Sequence, residues 1–203
     1  MADIPTFETE RLIIRPVIEA DLPSFQKNFN HYEVIRHLVA TVPWPYPEDG
    51  VRTRWEGLQP KLGKTHWQWG IFLKTQPQEL IGAIDLWREG SPENRGFWIT
   101  PAHQRKGLMS EAIISINDFA FNDLRFEKLI FNNAVGNTAS RRIKEKTGAR
   151  FVRREPCSFV DPNVTEHEIW ELRAEDWRTF KASSGVQQNG HQSPGVQQNR
   201  PKL

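Results

Sequence analysis

Gln104-Arg105-Lys106-Gly107-Leu108-Met109 sets two cations and one glycine between a short apolar run, "GFWIT", and a stretch whose apolar residues recur at helical spacing. A helix N-terminus carries unpaired N–H groups and a partial positive charge, so such a loop can hold phosphate oxygens on backbone amides. Gly107 admits close approach, and Arg105 and Lys106 add charge. The same residues also read as a solvated basic loop with a glycine for the turn, because one glycine beside two cations is a weak motif. Further on, Asn137 stands where it can cap a helix over "TASRRIKEK", and Gly148 where that helix would end. Ser140 either bonds back onto that helix or faces a ligand.

A proton acceptor for an amine has five candidates: Asp85, Glu93, Asp161, Glu166 and His167. Asp161 also begins an Asp-Pro-Asn turn, which gives it a local role. His31, His37 and His66 read as surface or packing residues. "HEIWE" offers one imidazole among scattered acids and Cys157 is the single cysteine, so neither a metal site nor an intrachain disulfide is expected.

The elements that position these groups alternate. "RLIIRP" reads as a strand, "EADLPSFQKNFNHYEVIRHLV" as one or two helices, and "VRTRWEGLQPKL" as another helix stopped by Pro60. Trp44 and Tyr46 lie in the Pro-rich loop between them. "THWQWGIFLK" alternates, with Trp67, Trp69, Ile71 and Leu73 on one face, and "ELIGAIDLWRE" and "RGFWIT" continue the sheet. "LMSEAIISINDFAF" is helical, with Leu108, Ala112, Ile116 and Ala120 in one row. "EKLIFNNAV" is a strand, and "ARFVRREP" and "EHEIWELR" form a closing antiparallel pair. This predicts an α+β fold: a mixed, mostly antiparallel sheet with one parallel strand–helix–strand crossover.

The chain has 203 residues, 37% of them apolar, which suits one core. Its 27 basic and 25 acidic residues give +2, but Lys181, Arg200 and Lys202 stand in a segment without acids. The first 180 residues are therefore slightly acidic, which argues against nucleic-acid binding. Residues 1–180 are read as the domain. Residues 181–203, polar and carrying "GVQQN" twice, are read as a flexible tail. The N-terminus lacks signal-peptide regions and no apolar run reaches membrane-span length, so a cytoplasmic protein without membrane partners is expected.

Residues 104–109 resemble the Gln/Arg-x-x-Gly-x-Gly/Ala signature of the GCN5-related N-acetyltransferase (GNAT) superfamily, with Met109 in place of the last small residue. "NTASRRIKEKTGARF" resembles the Asn-x-x-Ser...Glu-Lys-x-Gly segment of the RimJ/RimL-like branch, which acetylates ribosomal-protein N-termini; "FETERLIIRPVIEADLPSF" and "ELIGAIDLW" are similar to its opening and its third strand. The resemblance covers about residues 7–178.

It implies an α/β-type GNAT fold with helices on both faces and a parallel strand pair, "WIT" and "LIFNNA", splayed to admit CoA. It implies acetyl-CoA as donor, attacked directly by an amine in a ternary complex, with no metal. Backbone groups near Ile99 and Thr100 would pair with the pantetheine arm. The amides of Gln104, Arg105, Lys106, Gly107, Leu108 and Met109 would take the pyrophosphate, and Asn137 would bond the arm. Ser140 would protonate the departing thiolate, Asp161 lies near the branch's carboxylate, and Arg141, Arg142 or Lys146 would meet the 3′-phosphate. Trp44 and Tyr46 could line the acceptor side. The acceptor is a protein N-terminal α-amine, or else a small amine or antibiotic; a non-catalytic acyl-CoA-binding module is the rival class. Monomer and homodimer fit equally.

Overall fold

The computed structural model describes residues 4–184; most of the repeat-bearing tail lies outside them. The chain runs β1 (Phe7–Glu8), β2 (Leu12–Pro16), α1 (Leu22–Phe29), α2 (Tyr32–Ile35), α3 (Gly50–Leu58), β3 (His66–Leu73) and β4 (Gln76–Trp87). It continues through β5 (Arg95–Ile99), α4 (Leu108–Asn122), β6 (Lys128–Ala134), α5 (Thr138–Lys146), β7 (Arg150–Pro156), β8 (Glu166–Arg173) and α6 (Ala174–Ser184). Pro60 falls in a single 3-10 turn after α3, where the helix had to stop.

Strands β1 to β5 form one antiparallel sheet in sequence order, and β6, β8 and β7 form a second. The sheets are joined around Asn94: the Asn94 amide donates to the Ile130 carbonyl, and the Ile130 amide to the Asn94 side chain. Beyond that junction β5 and β6 share no ladder, yet Gly96–Ile99 and Phe131–Asn133 line the same cleft. The two strands thus run in the same direction and part, as a crossover through α4 requires.

Both sheet faces are covered. Trp67, Trp69 and Ile71 on β3 pack with the buried row Leu108, Ala112, Ile116 and Ala120 of α4. On the opposite face Phe72, Leu80 and Ala83 pack under Leu22, Phe25 and Phe29 of α1, with Val34, Ile35 and Val51. The final helix, α6, was not legible in the sequence. Trp177 anchors it, fully buried, with Nε1 donating to Asp118 on α4 at 2.9 Å, and Lys181 adds a 2.8 Å ion pair to the same carboxylate.

Candidate active site

The gap between β5 and β6 opens into a cleft of about 810 Å³. Its β5 wall can be derived from the ladder. Asn94 and Thr100 bond to β4, through Trp87 N–H to the Asn94 carbonyl and Thr100 N–H to the Ile81 carbonyl. Antiparallel strands alternate in this way, so the even-numbered residues spend their backbone groups on β4. Phe97 and Ile99 are left with N–H and C=O groups facing the gap. The Thr100 amide is committed to Ile81, so the open edge ends at Ile99, whose carbonyl accepts from Gln104 Nε2 at 3.3 Å.

The next residues form the loop that opens α4. Gly107 is its N-cap residue at φ 78°, and Arg105 also has positive φ, at 61°. That conformation suits glycine and strains arginine by about 1 kcal/mol. The Gln104 amide bonds Pro101, whereas among the described residues the amides of 105–109 have no protein acceptor; Glu111 is the first to find one, on the Gly107 carbonyl. With Ser110 these are six adjacent amides without a protein acceptor at a helix start, an arrangement able to cradle an anion. Arg105, Gly107, Leu108 and Met109 line the cleft beside it; the Lys106 side chain does not. Met109 is buried in the core under the sheet, so the larger side chain is absorbed by packing and its amide stays in the cradle.

The loop is held from behind. Arg11 donates from Nε to Glu111 at 2.8 Å and from Nη1 to the Lys106 carbonyl at 2.9 Å. Glu111 also accepts from the Thr9 hydroxyl and from the Arg11 amide at 2.9 Å. Burial acts to raise the Glu111 carboxyl, but these donors outweigh it and hold the group below its ordinary value.

The opposite wall is α5. Asn137 Oδ1 accepts from the Ser140 amide at 3.1 Å, so the predicted cap is present, while Nδ2 has no protein acceptor among the described residues. One side chain can thus cap the helix and still offer a donor to the cleft. Gly148, at φ 82°, ends the helix as its position foretold. The Ser140 hydroxyl does not back-bond the helix; it accepts from Lys144 Nζ at 2.7 Å. Arg142 and Lys146 line the cleft, whereas Arg141 is engaged by Glu145 and Glu168.

Arg95 and Lys144 line the cleft without having been expected there, and His37, read as a surface or packing residue, lines it too. Arg95 is buried with its guanidinium 3.9 Å over the Phe131 ring, and burial presses it down to about 9, still charged at neutral pH. Burial, with Arg36 beside it, pushes the His37 imidazole below its ordinary value.

The carboxylates fall elsewhere. Asp161 does not line the cleft; Oδ1 accepts from the Asn163 amide and side chain, both at 3.0 Å, as a turn residue does. Asp85 lies in the sheet, bonded to Arg54, His66 and Gln68. Glu93 accepts from Asn132, and His167 lies 3.5 Å from Glu155. Trp44 packs on Tyr32 and Tyr46 on Phe29, outside the cleft lining. Among the described residues no group of acids, histidines and cysteines could hold a metal.

A parallel strand pair parted by a cleft, with bare amides at the start of its crossover helix, is the architecture of an acyl-CoA-dependent transferase. The family model described as "Acetyltransferase (GNAT) domain" matches residues 11–150, and the chain belongs to that family. It is similar to "Probable N-acetyltransferase YjcK" of Bacillus subtilis, at 31% identity over 62% of this chain and 69% of that one. Its fold matches the ribosomal-protein-S5-alanine acetyltransferase of Vibrio fischeri, with TM-score 0.71 and 15% identity over 85% of this chain and 98% of that one. It also matches the spermidine N-acetyltransferase of Vibrio cholerae, solved with CoA and spermine, with TM-score 0.70 and 16% identity over 84% and 99%. The protein is an acetyl-CoA-dependent acetyltransferase. The bare loop amides and the open β5 edge fit that cosubstrate. No helix among the described residues is long and apolar enough to cross a membrane.

Proposed function

We propose that the protein acetylates a small primary amine, with acetyl-CoA and amine together in the β5–β6 cleft. The observation that carries this is a strap across the acceptor side. The Ala40 amide bonds Ser158, the Val160 amide bonds Leu38, the Asp161 amide bonds Arg36, and Val39 bridges Phe159. A long peptide acceptor calls for an open groove between the N-terminal helices and the β7–β8 loop. These bonds span that route, which favours a compact amine over the protein N-terminus that the RimJ/RimL resemblance implies.

In this reading the amides of 105–109 hold the pyrophosphate, with Arg142 and Lys146 beside the 3′-phosphate. The backbone of Phe97 and Ile99 and the Asn137 Nδ2 align the pantetheine arm. Acetyl-CoA supplies an activated acyl group on a good leaving group, so the protein's main tasks are alignment and proton transfer. His37, neutral at pH 7, takes the proton of the incoming ammonium on Nε2, which must give up the 3.3 Å bond it accepts from Arg36 Nε; it faces the cleft and Asp161 does not. Ser140 gives a proton to the departing sulfur.

Mass spectrometry of a panel of small amines and N-terminal peptides incubated with acetyl-CoA tests the acceptor class. Acetylated small amines with unmodified peptides are expected; acetylated peptides alone would overturn it. His37→Gln is expected to lower kcat/KM about 10- to 100-fold and to remove the acid limb that begins below about pH 6.5. The same loss in Glu33→Gln, with none in His37→Gln, would transfer the role to Glu33, which also lines the cleft.

A further inference from the structure

Lys144 is 1% exposed, among the largest fully buried side chains of the protein. A lysine in that position calls for an explanation, because burying an ammonium without a carboxylate partner is costly. Among the described residues no carboxylate lies within salt-bridge distance of Nζ. The charged groups facing it are Arg95 from β5 and Glu168 from β8. Arg95 repels it. Glu168 is already shared among Arg141, Arg154 and Asn133. The Phe97 ring lies 5.7 Å from Nζ. Among the described residues the one hydrogen-bond partner of Nζ, at 2.7 Å, is Ser140 Oγ, one helical turn back on the wall of the cleft. Methionine or leucine would fill the same space on a helix that already has cations to spare.

We propose that Lys144 is a positioning residue that supplies the proton Ser140 gives up. This rests on the reading of Ser140 as the group that protonates the departing sulfur. Nζ donates to Ser140 Oγ, which turns the serine hydrogen toward the cleft. When the S–C(acyl) bond breaks, the Ser140 O–H proton passes to sulfur, a Lys144 N–H proton passes to Ser140 Oγ, and Lys144 is left as the neutral amine. Water returns a proton to Lys144 once the products leave. The serine never persists as an alkoxide.

The site suits that transfer. A solvated lysine, at about 10.4, holds its proton more tightly than a thiolate of about 8.5 takes it. Burial first, and Arg95 second, push Lys144 well below its ordinary value, while Glu168 opposes them only in part. A lowered lysine gives up its proton more readily than a solvated one. Burial favours the neutral amine that the transfer produces.

The test compares kcat and KM against pH for the native protein, Ser140→Ala, Lys144→Met and the double variant, using the best amine of the acceptor panel. The expected result is a loss in kcat of about tenfold in each single variant, with KM for acetyl-CoA within about twofold. The basic limb of the native kcat profile disappears in both. The double variant is no worse than either single one, as residues acting as one unit require. Lys144→Arg keeps a charge but cannot give up a proton, and is expected to lose kcat and the limb as Lys144→Met does. Independently of turnover, Lys144→Met is expected to raise Tm. The proposal is overturned if Ser140→Ala is impaired while Lys144→Met retains native kcat and limb, or if the two losses multiply. A silent Ser140→Ala would instead remove the serine reading, and the relay with it.

Discussion

Arg11 Nη2 lies 2.7 Å from Glu111 Oε2, and this pair ties the turn before β2 to the first turn of α4 across a hundred residues of chain. The same guanidinium takes the Lys106 carbonyl, so one side chain fixes both flanks of Gly107. Arg11 is nearly half exposed, and screening makes the ion pair worth little to global stability. On the proposed reading its role is to hold residues 105–109 in shape. Arg11→Met should therefore raise KM for acetyl-CoA about 3- to 10-fold with kcat nearly unchanged. Steady-state kinetics at saturating amine checks this. The depressed Glu111 carboxyl contributes stability that is present above its ordinary value and lost as pH falls through the lower folded one. Glu111→Gln should flatten that acid dependence.

Gly107→Ala tests the cradle through the backbone alone. A Cβ there would meet only Arg11 Nη2, at 3.5 Å, an ordinary contact. The cost comes from φ 78°, about 1 kcal/mol for an L-residue. Strain that shifts the loop toward right-handed φ misaligns the amides, so calorimetry should find CoA binding about 5- to 10-fold weaker.

Asp85 separates structure from catalysis among the carboxylates. Arg54 lies 3.0 Å and His66 2.8 Å from its Oδ1. Burial alone would raise this carboxyl; Arg54 and His66 more than reverse that and lower it to about 2. The stability it contributes is present above its ordinary value near 3.9 and lost as pH falls toward 2. Asp85→Asn should cost about 2 kcal/mol in denaturant unfolding, since Arg54 can still reach water, and should leave kcat unchanged.

Lys144 has the opposite signature. Its folded value is lowered, so between that value and about 10.4 the unfolded chain binds more protons than the folded one. Stability should climb with pH across that window, and Lys144→Met should reduce the slope while raising Tm. Thermal melts from neutral pH upward check both.

Much of this was legible in the sequence because it is locally encoded. Asn137 and Gly148 declare the ends of α5 by capping chemistry alone, and "GFWIT" before Gly107 places the loop between strand and helix. The residues that escaped are those whose environment is built by distant chain. In "RRIKEK" four cations look alike, and only the packing of α5 over Phe97 turns Lys144 inward. His37 enters the cleft because the strap to residues 158–161 holds its segment there. Helix α6 is anchored by Trp177 and Lys181, both on Asp118 of a distant helix, a pairing no local pattern announces. Met109, which broke the family signature, needed the core around it to show where its larger side chain goes.

The central claim, that the β5–β6 cleft holds acetyl-CoA on the bare amides of the α4 loop, is tested most directly by residue-resolved amide hydrogen exchange with and without CoA. Strong protection of the amides of residues 105–109 and of Phe97 and Ile99, with Thr100 unchanged because it already bonds Ile81, is the predicted result. Saturating CoA that leaves exchange at residues 105–109 unaltered would contradict the account.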